Sequence, residues 1–174
     1  MVAALSLGSI DVATADLENT LYLDVPNGRV VIEMRPDLAP NHVAQIKELA
    51  RRGFYDGVPF HRVIDGFMAQ TGDPTGTGTG GSGKKLKAEF SKEKHARGVT
   101  SMARTNDPNS ADSQFFIMLA AAPHLDGQYT VWGKVVSGME HIDAVKKGAP
   151  GSGSVSNPDK IAKMQVAADA EKNG

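Results

Sequence analysis

Residues 72–83, Gly-Asp-Pro-Thr-Gly-Thr-Gly-Thr-Gly-Gly-Ser-Gly, hold six glycines in twelve positions and no large apolar side chain. Such a run cannot contribute to a core and must be loop. It separates two stretches of chain whose apolar residues come only in short runs. Thr20 to Val25 alternates apolar and polar side chains, Pro26-Asn27-Gly28 follows, and Arg29 to Met34 is a second strand-like run. This pattern predicts a β-hairpin around the Asn-Gly turn. Pro40 is placed to open a helix, where its missing N–H does no harm. Val43, Ile46, Leu49 and Ala50 then recur at helical spacing, and Gly53 is a natural stop. Residues 58–68 read as strand.

Beyond the glycine run, residues 86–90, 98–103, 114–119 and 130–136 read as strands, and residues 161–166 as a closing strand. Residues 104–112 and 148–157 are turn-rich loops. Met139, Ile142, Ala144 and Val145 gather mostly on one face of a helix over 138–147. Many short strands with two helices make a mainly-β domain, and no repeat of 20–50 residues is present.

The 174 residues suit one domain, and that length buries a substantial core without staples. A net charge of -1 gives no reason to expect nucleic acid or an anionic membrane as partner. The absence of cysteine excludes disulfides and thiol chemistry and leaves either redox compartment open. Residues 1–19 are expected to be an N-terminal arm or the remnant of an export signal. Ala13-Thr14-Ala15 has the form of a signal-peptidase site, but no positive region precedes it and Asp11 interrupts a short apolar run. The compartment is therefore left open between cytoplasm and periplasm, the latter if residues 1–15 belong to an export signal. No apolar run reaches the length of a membrane span. The domain is expected over 20–168, with 169–174 a flexible tail.

Two nucleotide motifs fall in the glycine run. Gly76-x-Gly78-x-x-Gly81 matches a dinucleotide fingerprint, and Gly78 to Lys84 comes close to a phosphate loop. Neither has the required setting. Lys85 stands where Ser or Thr would reach magnesium, no buried strand leads in and no amphipathic helix leads out. The five histidines show no ligand spacing, so no metal or cofactor is expected. No serine lies in a Gly-x-Ser-x-Gly setting, so hydrolase chemistry has no support.

The chemistry-bearing run is Phe60-His61-Arg62-Val63-Ile64-Asp65-Gly66-Phe67-Met68-Ala69-Gln70-Thr71-Gly72-Asp73. It sets one arginine near two large apolar side chains and an amide. A fixed cation beside an apolar surface suits a substrate with a greasy group next to a polarisable bond. Bond cleavage would need a nucleophile and base, which are absent. The run is joined by Ser113-Gln114-Phe115-Phe116-Ile117 and by Leu125-Asp126-Gly127-Gln128-Tyr129-Thr130-Val131-Trp132-Gly133-Lys134-Val135. The three motifs, in this order, resemble the cyclophilin family of peptidyl-prolyl cis/trans isomerases in its bacterial form, over about residues 20–166.

The resemblance implies a closed eight-stranded antiparallel β-barrel capped by two α-helices. It implies an enzyme that rotates Xaa-Pro bonds and assists folding, or, in the other reading, a module that binds Pro-containing segments without turning them over. Arg62 would be the catalytic arginine. Phe67, Met68, Phe116 and Leu125 would line the proline pocket, and Gln70 and Gln114 would hold substrate backbone. Ala103 and Arg104 would border the groove for residues preceding proline, and His61 would support the strand and lie close to the site, among the substrate-binding residues with His124 and Tyr129. Phe115 faces the core, since strand neighbours point to opposite sides. Where many eukaryotic members have tryptophan and histidine, this chain has His124 and Tyr129, and Arg104 replaces an asparagine. Tyr129 still offers an aromatic wall. With His124 for tryptophan, cyclosporin is expected to bind weakly. The partners implied are Xaa-Pro peptides and unfolded or flexible client proteins, met by a monomer.

Overall fold

The computed structural model describes residues 16–173; the expected N-terminal arm or export-signal remnant lies, but for residues 16–19, outside them. Eight strands form one antiparallel sheet: β1 Thr20–Val25, β2 Gly28–Met34, β3 Arg62–Ile64, β4 Met68–Thr71, β5 Val99–Met102, β6 Phe115–Met118, β7 Val131–Ser137 and β8 Lys163–Val166. Their order across the sheet is β3-β4-β6-β5-β7-β2-β1-β8. The helices are α1 Pro40–Arg51, α2 Met139–Asp143 and α3 Ala167–Asn173. No described helix is long and apolar enough to cross a membrane.

The alternation in β1 and β2 sends Leu21, Leu23, Val25, Val30, Ile32 and Met34 inward. Val25 pairs with Gly28, so the two loop residues of the hairpin are Pro26 and Asn27, one position earlier than the Asn-Gly reading. Proline's fixed φ suits the first central position of a turn. The inward side chains join Phe60, Phe115 and Trp132 in one core. Val43, Ile46 and Leu49 of α1, and Ile142 of α2, enter the same core. The two expected helices thus both cover it, α2 being shorter than its sequence pattern.

The sheet is a curled half-barrel, and the closed barrel is corrected in that respect. Continuous ladders end at β3 and β8. The gap is spanned by the isolated pairs Pro59↔Lys160 and Arg62↔Ser154, with single bonds such as Phe60 N–H to Asp159 O at 2.9 Å. Pro59 has no N–H to give a ladder. The facing segment turns at Gly151 and Gly153, both with positive φ, and cannot stay extended.

Three further expectations change. The strand read over 58–68 is two elements. Asp65-Gly66-Phe67 forms a three-residue turn with Gly66 at φ 73°, and the chain folds back on itself. Residues 86–90 are not a strand: only Leu86 pairs, with Ala111. Glu89 is drawn instead to the start of α1, where its carboxylate accepts the N–H groups of Asn41 and His42. Ala39 caps that helix with no side-chain bond, so its free N–H groups need an outside acceptor. The stretch from 169, expected as a flexible tail, continues α3, and Asp169 pairs with Arg51 at 2.9 Å.

Candidate active site

The Asp65-Gly66-Phe67 turn decides where the reactive groups meet. By folding the run back, it sets Arg62 of β3 opposite Gln70 of β4. Gln70 lies opposite Phe116 of β6, and Phe116 opposite Ser101 of β5. One row therefore crosses four strands. Cross-strand partners share a face of the sheet, and this row's face is the one turned away from the core. Phe115 lies in the core, edge-on to Tyr55 and Trp132, with centroids 5.6 and 5.3 Å away. Phe116 belongs to a second apolar cluster with Met68, Met118, Leu125 and Val131.

That second cluster is hollowed. A cavity of about 150 Å³ is lined by Phe67, Met68, Phe116, Leu125 and Tyr129, with Arg62, Gln70, Ala103 and Arg104 also on its walls. A cavity of that order accepts one small ring. Tyr129 meets Phe116 edge-on at 5.7 Å, and the Arg104 guanidinium lies 4.6 Å above the Tyr129 ring. Arg104 is fixed there by two bonds to Gln128 O and one to Thr105 O.

Arg62 is exposed and stands on the wall of the hollow. Its Nε–H donates to Ser152 O at 3.1 Å, and its Nη1–H to Gln70 Oε1 at 3.3 Å. Gln70 Nε2–H in turn donates to Gln114 Oε1 at 2.9 Å, and Gln114 Nε2–H reaches Gly78 O and Gly80 O, each at 3.0 Å. The guanidinium is thus tied through two amides to the glycine run. A guanidinium carries five N–H donors, and only two are engaged here.

The glycine run is an ordered wall. Asp73, fully buried, accepts the N–H groups of Thr75, Gly78 and Gly80 and the Thr75 hydroxyl. Burial alone would raise its carboxyl; the Thr75 hydroxyl and these backbone amides outweigh that and hold it well below the usual carboxylate range. Asp112 likewise takes the N–H groups of Ser82 and Gly83. The amides that a phosphate would need are turned to these two carboxylates. Gly72 begins the run at φ 101°, where a Cβ would lie 2.4 Å from Ser113 O. Its missing side chain lets the run lie against Gln114. A second hollow, about 330 Å³, opens along the run between Thr79, Lys85, Arg104 and Asp112, and shares Gln70, Ala103 and Arg104 with the first.

Of the residues singled out from sequence, three stand apart from the small hollow. Gln114 lines the second hollow. His124 is an exposed rim residue whose ring lies 5.8 Å from that of Phe67. His61 lies beneath Gly78, 3.7 Å from where its Cβ would stand, and both of its ring nitrogens are buried without a partner. Burial lowers its pKa, and Arg62 adds to this against the pull of Asp73. Sequence reasoning missed Asp73 and Asp112 as organisers of the loop. Asp73 directly follows the first glycine of the run and precedes proline, a turn-forming context that could have flagged it. It also missed His95, behind Phe116, for which the sequence carries no signal. Among the described residues no group of three or more His, Asp or Glu side chains could hold a metal.

A small apolar hollow with two guanidiniums on its walls, Arg104 tied down by three bonds and Arg62 with donors to spare, and no nucleophile–base pair fits the rotation of a bond rather than its cleavage. The family model for cyclophilin type peptidyl-prolyl cis-trans isomerase matches residues 20–166. The chain belongs to the cyclophilin family. It is 55% identical over 182 aligned positions to a probable peptidyl-prolyl cis-trans isomerase of Brucella suis, covering 97% of this chain and 93% of the relative. It is 47% identical over 133 positions to the human peptidyl-prolyl cis-trans isomerase-like 3, covering 74% of this chain and 81% of that one. The crystal structure of cyclophilin AquaCyp293 from Hirschia baltica superposes with a TM-score of 0.78 at 30% identity, over 87% of this chain and 74% of the other. A Cryptosporidium parvum cyclophilin type peptidyl-prolyl cis-trans isomerase, crystallised in the presence of the dipeptide ala-pro, gives 0.77 at 29% identity, over 84% and 98%. The chain is a peptidyl-prolyl cis-trans isomerase of mainly-β cyclophilin fold.

Proposed function

We propose that the small hollow receives the prolyl ring and that Arg62 is the catalytic residue. The observation that carries this is the Arg62 guanidinium on the wall of an apolar cavity, held by Ser152 and Gln70 with donors to spare. An Xaa-Pro bond is planar because its nitrogen lone pair is delocalised, and the barrier to rotation is about 18–20 kcal/mol. Twisting returns the lone pair to nitrogen and makes that nitrogen an acceptor. A guanidinium N–H aimed there binds the twisted state better than either planar isomer, which is the condition for catalysis. Phe67, Met68, Phe116, Leu125 and Tyr129 grip the ring while the preceding carbonyl swings, and keep away water that would favour the planar, more polar amide.

Gln70 and Gln114 offer amide groups to the peptide backbone, and Ala103 and Arg104 border its path toward the second hollow. The substrates are Xaa-Pro peptides and exposed segments of unfolded or flexible clients; the exposed Arg62 and the shared wall of the two hollows support an extended chain as ligand. The peptide reading also draws on the Cryptosporidium parvum relative, whose crystal structure was determined in the presence of the dipeptide ala-pro.

The test is a protease-coupled isomerisation assay on a short Xaa-Pro peptide with the wild-type chain and Arg62→Ala. A hydrogen bond from a charged donor is worth about 1.5–3 kcal/mol, so kcat should fall roughly ten- to a hundredfold. The thermal midpoint should hold, since Arg62 is exposed. Wild-type turnover in a folded variant would remove Arg62 from the mechanism.

A further inference from the structure

Next to the prolyl hollow lies a buried histidine that is not one of its walls. His95 is 1% exposed and precedes β5. Its ring stacks on that of Phe116, with centroids 6.1 Å apart and planes 19° from parallel. It meets Tyr129 edge-on at 6.4 Å. Phe116 and Tyr129 both wall the hollow.

The ring of His95 is held at both nitrogens. Nδ1 faces Asp126 Oδ1 at 3.2 Å, and the same oxygen accepts the His95 backbone N–H at 2.7 Å. Nε2 faces Ser101 Oγ at 2.9 Å. Burial lowers the pKa of His95 against the pull of Asp126, which favours the neutral ring with a single proton. A carboxylate only accepts, so that proton belongs on Nδ1. Nε2 is then bare and accepts a hydrogen bond from the Ser101 hydroxyl. Ser101 Oγ also lies 3.0 Å from Thr130 O, a second acceptor for the hydroxyl; that carbonyl is satisfied without it by the Met102 N–H at 2.9 Å, whereas a bare Nε2 has no other donor. Every polar atom in the cluster has a partner with the ring in this one orientation. Turning it would break both contacts inside a closed space, where an unmet polar group is costly.

We propose that His95 is a positioning residue of the isomerase: pinned by Asp126 and Ser101, it fixes the planes of Phe116 and Tyr129 so that the hollow keeps the shape of a prolyl ring. The inference rests on the reading that this hollow receives the ring. Walls of this kind hold the ring in planar and twisted states alike. Loosening them weakens binding of both states and raises KM, whereas loss of Arg62 lowers kcat.

The experiment measures kcat and KM on an Xaa-Pro peptide for His95→Leu, His95→Phe, Asp126→Asn and Phe116→Ala, with ring NMR signals of Phe116 and Tyr129 recorded where those residues remain. For His95→Leu, KM should rise roughly two- to tenfold, the range of one lost aromatic pair. Its kcat should stay within about twofold, and both ring signals should move. His95→Phe restores a flat ring and should recover part of the loss. If His95→Leu does not fold, Asp126→Asn carries the test, and a rise in KM is again expected. A folded His95→Leu or Asp126→Asn with wild-type KM overturns the proposal. So does a fall in kcat at unchanged KM. Phe116→Ala separates the two claims: if it leaves KM unchanged, the reading of the hollow as the prolyl site fails first.

Discussion

The two faces of β6 carry similar side chains to different ends. Phe115 and Ile117 point inward, fully buried, and Phe115 is met edge-on by Tyr55 and Trp132. Phe116 and Met118 point outward and are almost as buried, at 5% and 0% exposure. Composition does not separate the two faces. What separates them is that the inner cluster is covered by side chains of α1 and α2, whereas the outer one is left with a hollow whose walls include Arg62, Gln70 and Arg104. An apolar wall with no packing partner on one side, and a cation beside it, is a binding surface. The same wall closed over is a core. The inner face therefore governs stability and the outer face governs turnover.

That division is most severely tested at neighbouring phenylalanines. Phe115→Ala should lose about 3–5 kcal/mol of stability, the usual cost of emptying a packed aromatic site, with little change in turnover per folded molecule. Phe116→Ala borders space that is already open, so it should lose less stability and more peptide binding. Denaturant unfolding beside isomerisation kinetics reads both. Equal stability losses would erase the distinction between the faces.

A smaller effect probes how the outer face is braced. Asp73→Asn would turn an NH2 group toward backbone N–H groups that now donate to a carboxylate. The loss should be about 1–3 kcal/mol, the cost of unmet buried donors. Turnover should fall as well, because Gln114 is anchored on Gly78 O and Gly80 O, and Gln70 on Gln114. A destabilised variant with unaltered kcat and KM would show that the run braces the fold alone.

Acid should act first on the buried histidines and then on Asp73. His61 and His95 both have folded pKa values lowered from the ordinary 6.5, chiefly by burial. The unfolded chain then takes up their protons more readily, so their contribution is full above pH 6.5 and is lost as pH falls below it. Asp73, lowered from 3.8, contributes fully above that value and loses its contribution only as pH falls further. Thermal midpoints followed from pH 8 down to about pH 2 should show two declines, one below 6.5 and one setting in below 3.8, and His95→Phe should shrink the upper one. A single decline near pH 4 would leave the histidines without a part.

The mildest change lies at the rim. His124 is exposed beside Phe67 and offers a smaller, more polar ring than an indole. His124→Trp should tighten cyclosporin inhibition by more than it alters peptide turnover, since the peptide relies on Arg62 and the hollow. Unchanged inhibition would place the drug's main contacts elsewhere.

Much of this molecule was legible before it was folded. The opening hairpin, α1, most strands and the split between Phe115 and Phe116 follow from local alternation and spacing, which fix which side of an element a residue takes. The three motifs carried the family, and with it the residues around the hollow. What the sequence by itself could not decide is what meets across the sheet. The register that aligns Arg62, Gln70, Phe116 and Ser101 depends on the turn at Asp65-Gly66-Phe67 and on three inter-strand pairings. The stop short of full closure depends on Pro59 meeting a glycine-bearing segment about a hundred residues away. Glu89 at the start of α1, Asp73 and Asp112 inside the glycine run, and His95 against Phe116 are likewise partners chosen by proximity in space. A buried polar group must find a partner, but only the tertiary fold determines which group is near enough to be one.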